Sequence, residues 1–83
     1  MEYDASAIGS VIRQQRKLRN MSQEVLSGLA GIARTHLTMI ETGSKQANFE
    51  TLWKIALALD MRPCKLVEEI EIYMLSNRDQ KHG

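Results

Sequence analysis

Residues 22–43 read SQEVLSGLAGIARTHLTMIETG, a pattern that predicts two short helices joined by a tight turn. Ser22 is a favourable N-cap, because its hydroxyl can accept a hydrogen bond from a free amide of the first helical turn. Apolar and small residues then recur at helical spacing: Leu26, Leu29 and Ala30. Gly31 is expected to end this helix, since glycine adopts the left-handed conformation of a helix end without steric cost.

The second predicted helix follows a turn anchored by Ile32, and Leu37 and Ile40 give it an apolar seam. A helix, a short turn that contains glycine and a second helix form the helix-turn-helix. This motif places its second helix in the major groove of DNA. Residues 22–43 therefore predict a nucleic-acid-binding motif.

Length and composition narrow the class of protein. Eighty-three residues fit one small domain that depends on its apolar core. The single Cys64 excludes an internal disulfide framework, and no Cys/His spacing typical of a zinc site occurs. No apolar run approaches the roughly 20 residues of a membrane helix, and the first residues do not resemble a secretory signal. These features predict a cytoplasmic, nucleoid-associated protein without a metal, a cofactor or a membrane partner.

Charge is only weakly polarised along the chain. The net charge is +1 and the sequence pI is about 7.9, which is low for a DNA-binding domain. Residues 1–47 carry six Lys/Arg against four Asp/Glu, whereas residues 48–83 carry five against six. The first half is therefore the better candidate for contact with a polyanion, but charge alone would not predict it.

Five helices and no strand are predicted, so the fold class is all-α. The expected segments are 5–19, 23–30 and 34–42, then a helix that follows the cap Asn48, then one from Pro63 to about Leu75. Gly43 is expected to end the third helix. Residues 1–75 form the single predicted domain, and residues 76–83, SNRDQKHG, have the polar composition of a frayed tail.

Helical spacing also predicts the core. Helix 1 is expected to turn inward Ile8, Val11, Ile12 and Leu18. The inward set of helix 4 is Phe49, Leu52, Ile55, Ala56 and Leu59. That of helix 5 is Leu66, Val67, Ile70, Tyr73 and Met74.

The chain resembles the Xre/Cro-like helix-turn-helix family, the lambda-repressor-like DNA-binding domains. The matching segments are IRQQRKLRNMSQEVL (12–26), GLAGIARTHLTMIETG (28–43) and NFETLWKIALALDM (48–61), in the order and spacing of the family. Two residues depart from the pattern: Ser27 stands where alanine is usual, and Ala33 where a capping residue is common. The resemblance implies a compact five-helix domain whose helix-turn-helix consists of helices 2 and 3.

The resemblance also implies which residues contact DNA. Arg34, Thr35 and Thr38 would point into the major groove, where arginine reads guanine and threonine offers a hydroxyl and a methyl group. Gln23 would touch a phosphate and brace a side chain of helix 3. Lys45, with backbone amides near residues 43–45, would hold the flanking phosphate.

A second implied feature is structural. Arg16 and Glu41 match the ion pair that ties helix 1 to helix 3 in the family. The pair would fix the position of the reading helix and would not contact bases.

Self-association is predicted from apolar residues outside the expected core. Leu57, Ile72 and Leu75 fall away from the inward faces of their helices. A short helix-turn-helix needs a two-fold dimer to reach half-sites about 34–36 Å apart. We therefore expect an isologous homodimer on helix 5 with these residues at or near its seam. Simple exposure of scattered apolar residues is the alternative.

The predicted function is a sequence-specific regulator of transcription that binds double-stranded DNA, a repressor acting as a homodimer on a two-fold-related operator. One alternative is an antitoxin or restriction-modification controller with the same fold, for which a toxin or other protein would be a partner. A more remote one is a helical protein-binding adaptor without DNA affinity. No catalytic residues are assigned, because the sequence shows no nucleophile–base constellation, phosphate loop or metal spacing.

Overall fold

Five helices and no strand make up the part of the chain described by the computed structural model, namely the backbone of residues 2–81 and the side chains of residues 2–76. The helices are α1 (Ala5–Leu18), α2 (Gln23–Ala30), α3 (Arg34–Thr42), α4 (Phe49–Ala58) and α5 (Pro63–Lys81). The predicted all-α, five-helix fold is confirmed. No helix in this part is long and apolar enough to cross a membrane.

Side-chain caps set the starts of α1, α2 and α4. Asp4 Oδ1 accepts from a first-turn amide at 3.0 Å, Ser22 Oγ at 3.1 Å and Asn48 Oδ1 at 2.8 Å. Ala33 gives α3 no such bond. Gly31 and Gly43 adopt positive φ angles of 71° and 83° where α2 and α3 end, as their C-cap positions predict.

Two apolar clusters share α1 and α4. The first cluster holds the four helices α1, α2, α3 and α4 together. It consists of seven buried residues, Ile12, Leu26, Ala30, Leu37, Ile40, Ile55 and Leu59. The second docks α5 on α1 and α4 through Ala7, Val11, Ala56, Leu66, Ile70 and Met74. Each fully buried Leu or Ile stabilises the fold by about 1.5–3 kcal/mol relative to exposure. The first cluster therefore holds the helix-turn-helix, and the second holds α5 to its back.

Gly9 lies where α1 crosses α3. A Cβ atom at this position would be 2.9 Å from the carbonyl oxygen of Glu41 and would overlap that of Ile40. The two backbones can approach this closely only because residue 9 has no side chain. The role of Gly9 could not be recognised from the sequence, since a close approach between distant segments leaves no local pattern.

Three residues expected in the core are exposed instead: Leu18, Phe49 and Val67. Leu29, which recurs at helical spacing with Leu26 and Ala30, is exposed as well. Phe49 is 71% exposed at the first position of α4, whereas Ile55 and Leu59 further along are fully buried. Its ring lies 6.1 Å from that of Trp53, and with Leu57 the two aromatic residues form an apolar stripe at intervals of four residues on α4.

The remaining three lie outside the buried faces of their helices. Leu29 shares an outer face of α2 with Val25, since Leu26 and Ala30 occupy the inner one. Leu18 ends α1 beyond its buried residues. On α5, Leu66, Ile70 and Met74 supply the buried face and leave Val67 exposed.

Helix α5 continues to Lys81, so its predicted end near Leu75 is wrong, as is the assignment of residues 76–81 to a non-helical tail. The segment SNRDQK contains no Gly or Pro, so nothing in it interrupts helical hydrogen bonding. Residues 82 and 83, the end of the predicted tail, lie outside the described residues.

Replacing glycine by alanine should have opposite effects on stability at Gly9, where α1 crosses α3, and at Gly28, which lies outside that crossing. Gly9→Ala should lower the free energy of unfolding by about 1–3 kcal/mol or more, because the added methyl group meets backbone atoms that cannot move independently. Gly28→Ala is the matched control: it lies in open space on α2 and should raise stability by up to about 1 kcal/mol. Urea unfolding of both variants measures the difference. Equal effects at the two sites would contradict the close crossing.

Candidate nucleic-acid interface

The turn between α2 and α3 fixes the angle of the helix-turn-helix. Gly31 N donates to the Gly28 carbonyl at 3.3 Å, and Ile32 N donates to that of Ser27 at 3.0 Å, closing the end of α2. The half-buried Ile32 then packs against the first apolar cluster. The turn therefore directs the chain into α3 even though Ala33 provides no cap.

Helix α3 has a buried face and an outer face. Leu37 and Ile40 are buried, whereas Arg34 and Thr35 in its first turn are exposed and Thr38 is half-buried at the edge. These three polar residues are the ones that the resemblance directs into a major groove. The structure brings them together on one side of α3, with donor and acceptor groups accessible at the helix start.

The end of α3 presents Lys45. Its side chain is exposed, and its backbone amide donates to the carbonyl of Met39 at 3.2 Å. The Gly43 amide likewise donates to Ile40 at 3.2 Å. Both amides therefore pair with carbonyls of the last turn of α3, and the exposed side chain of Lys45 places an ammonium group at this corner.

Arg16 and Glu41 form a two-pronged ion pair between α1 and α3. Arg16 Nε donates to Glu41 Oε2 at 2.8 Å, and Nη2 donates to Oε1 at 2.9 Å. The third nitrogen, Nη1, donates to the carbonyl of Met21 at 2.9 Å, just before α2. Each of the two paired residues is only 8% exposed. One guanidinium thus holds α1, the start of α2 and the back of α3 together.

The hydrogen bonds that Arg16 donates to Glu41 raise the pKa of Arg16; burial opposes this and the carboxylate charge reinforces it. Arg16 therefore stays charged over the whole pH range in which the protein is folded. The Arg16 guanidinium and the Glu41 carboxylate satisfy one another inside the protein. Removing either would leave the other buried without a partner.

Gln23 links this ion pair to the outer face of α3. Its Nε2 donates to Glu41 Oε1 at 3.0 Å, and its Oε1 accepts from Thr38 Oγ1 at 3.0 Å. The half-buried Gln23 therefore braces Thr38. The bond to Glu41 was missed from the sequence, because helical spacing within α2 carries no information on contacts with α3.

The residues proposed for self-association lie on the surface. Leu57 is 58% exposed, Ile72 48% and Leu75 43%. Leu57 and Trp53 also line a shallow surface groove that reaches the first turn of α5 at Pro63. These residues lie on α4 and α5, so the outer face of α3 is not part of the surface proposed for self-association.

Within the described residues, no cluster of His, Cys, Asp and Glu side chains could hold a metal ion. Cys64 carries an exposed free thiol at the start of α5.

A family model described as helix-turn-helix matches residues 12–66. The chain belongs to the helix-turn-helix family. The match includes α2, α3 and α4 in full and confirms the resemblance to the Xre/Cro-like domains.

Two relatives and one solved structure show where the chain stands in the family. It is 32% identical over 74 residues to the HTH-type transcriptional regulator y4dL of Sinorhizobium fredii. The aligned segment covers 84% of the chain but only 38% of that regulator. It is 31% identical over 67 residues to the ImmF control region 10 kDa protein of Bacillus phage phi105, covering 78% of the chain and 74% of that protein. The restriction-modification controller protein C.AhdI from Aeromonas hydrophila is 32% identical with a TM-score of 0.73, over 76% of the chain and 96% of the controller. The chain thus spans well under half the length of the first relative.

The buried ion pair predicts a large loss of stability when one partner is removed. Glu41→Ala should lower the free energy of unfolding by about 3–5 kcal/mol, because it leaves the Arg16 guanidinium buried without its carboxylate. Glu68→Ala is the matched control, since it removes a carboxylate from an exposed pair with Lys65 and should change stability little. Chemical denaturation monitored by circular dichroism gives both values. A loss below about 1 kcal/mol for Glu41→Ala would contradict a structural role for the pair.

Proposed function

We propose that the chain is a sequence-specific regulator of transcription that binds double-stranded DNA and represses as a homodimer on a two-fold-related operator. The observation that carries the proposal is that α3 presents polar residues on its outer face while a buried ion pair between Arg16 and Glu41 holds the helix from α1. A helix presented in this way can enter a major groove as a fixed unit. The proposal assigns the chain no catalytic step and places it at the nucleoid, in the cytoplasm.

Arg34 is the main base reader in this proposal. Its exposed guanidinium offers donors in a planar fork, which matches the two acceptors of guanine in the major groove. Thr35 and Thr38 lie beside it and read neighbouring bases. Gln23 and Lys45 flank α3 and contact phosphates, which position the helix without reading sequence.

A restriction-modification controller is the second candidate function, supported by the similarity to C.AhdI over nearly the whole of that protein. The similarity to a control-region protein of a phage supports the repressor. Both candidates use the same reading helix and differ in the genes whose transcription they control. Within the described residues, nothing supports a toxin partner of the kind that an antitoxin would require.

Sequence reading is tested by selecting bound sites from random DNA and measuring the affinity of variants by fluorescence anisotropy. Arg34→Ala should lose about 1–3 kcal/mol at the selected site and most of its preference at one base pair. Lys45→Ala should weaken binding to all sequences alike and make the salt dependence shallower by about one unit of slope. Failure to select any sequence would contradict the proposed function, and intact preference in a folded Arg34→Ala would contradict the assigned register of α3.

The dimer interface in this proposal is the outer side of α5. Leu66, Ile70 and Met74 face the domain, whereas Ile72 and Leu75 point away from it. With Leu57 on α4, they give one copy an apolar surface that a second copy can cover by two-fold symmetry. Association would set two α3 helices at the spacing of two half-sites.

Replacing two of these apolar residues by charges should dissociate the dimer. The double variant Ile72→Glu, Leu75→Glu should sediment as a monomer at micromolar concentration, because a dimer would bury four carboxylates in an apolar seam. Val25→Glu, Leu29→Glu is the matched control on an exposed apolar face of α2 and should stay dimeric. A charged α5 variant that remains folded and dimeric would show that the interface lies elsewhere.

A further inference from the structure

A chain of hydrogen bonds runs from Arg16 through Glu41 and Gln23 to Thr38. The donor and acceptor at each step of this chain are set at its buried end. A carboxylate only accepts hydrogen bonds, and Arg16 donates to both oxygens of Glu41. The Gln23 atom that lies 3.0 Å from Glu41 Oε1 must therefore be the amide nitrogen. This requirement fixes the orientation of the Gln23 amide and turns its oxygen toward α3.

Thr38 consequently faces acceptors on its protein side. The Gln23 oxygen lies 3.0 Å from Thr38 Oγ1, and the backbone oxygen of Arg34 lies 3.1 Å from it. A hydroxyl has one proton to donate and two lone pairs to accept with. Both nearby oxygens draw that proton inward. Within residues 2–76 no group donates to Thr38 Oγ1, so its lone pairs are left for a ligand at the outer face of α3.

We propose that this relay of hydrogen bonds, from Arg16 through Glu41 and Gln23, makes Thr38 a hydrogen-bond acceptor in the major groove. Thr38 then selects a base that carries an amino group at the position that Thr38 faces. Adenine N6 and cytosine N4 are donors in the major groove, whereas guanine O6 and thymine O4 are acceptors. Thr38 therefore favours adenine or cytosine on the contacted strand and discriminates against guanine or thymine. The inference rests on the proposed function, because it requires α3 to read base edges.

Arg34 and Thr38 then have opposite polarity one helical turn apart. The guanidinium of Arg34 only donates and selects acceptors, as in guanine. The hydroxyl of Thr38 could donate to a carbonyl base only by leaving the Gln23 oxygen unpaired in its half-buried position. The discrimination by one neutral hydrogen bond should be about two- to tenfold in affinity.

Base analogues that lack the amino group test the assignment directly. In a selected site, each adenine of the half-site is replaced by purine and each cytosine by 2-pyrimidinone, and affinity is measured for wild-type and variant proteins. At one position the wild type should lose about two- to tenfold in affinity. Thr38→Val, which keeps the shape but lacks the hydroxyl, should lose nothing further there. Thr38→Ser keeps the hydroxyl and should retain the discrimination.

The contribution of Gln23 is tested by Gln23→Met, which removes the acceptor facing Thr38 and leaves the Arg16–Glu41 pair intact. The preference for an amino base should shrink, because the Thr38 proton is then held only by the Arg34 carbonyl. Thermal unfolding of each variant checks that it is folded. Unchanged discrimination in Gln23→Met would overturn the relay.

The outcomes separate this inference from the proposed function. Absence of any selected site would contradict DNA reading itself. A selected site at which Arg34→Ala has its expected effect, but where amino-free analogues cost the wild type nothing or Thr38→Val retains the discrimination, would overturn the assignment of Thr38 alone.

Discussion

The pair of charges between Arg16 and Glu41 is the constraint on which the placement of the other parts depends. Two ions buried together are a weak source of net stability, because the loss of hydration offsets most of their attraction. Their main effect is geometric, since any arrangement that separates them leaves a buried charge unpaired. The guanidinium reaches α1, the chain before α2 and the carboxylate of α3 at once. The angle between the two helices of the motif is therefore fixed from behind, out of reach of a ligand on the outer face.

The absence of a side chain at Gly9 supports the same contact between α1 and α3. The two backbones nearly touch at Gly9, two turns before Arg16, and a Cβ atom there would prevent that approach. Interactions of this kind explain which parts of the fold can be predicted from the sequence. The starts of α2 and α4 and the end of α2 were predictable, because Ser22, Asn48 and Gly31 act on atoms a few residues away.

Features that depend on contacts between distant segments were not predictable in the same way. Phe49 and Leu29 have the spacing of core residues, but the packing of whole helices determines which faces of α4 and α2 are buried. The end of α5 was misplaced because a polar segment without Gly or Pro is compatible with both helix and tail. At the site, the resemblance supplied the identity of Gln23 and Thr38, whereas the direction of the hydrogen bond between them required the position of Glu41.

Helix α1 also connects the reading face to the surface proposed for dimerisation. Its residues Ala7 and Val11 bury α5, while Gly9 and Arg16 hold α3. These contacts alternate along one helix, so α3 and α5 are fixed to a single rigid element and not to each other through a flexible link. In a two-fold dimer the distance between the two α3 helices would then be set by α1 and the packing of α5 on it. A substitution on α1 that shifted α5 without touching α3 would alter the spacing of preferred half-sites while leaving the bases preferred within each half-site unchanged.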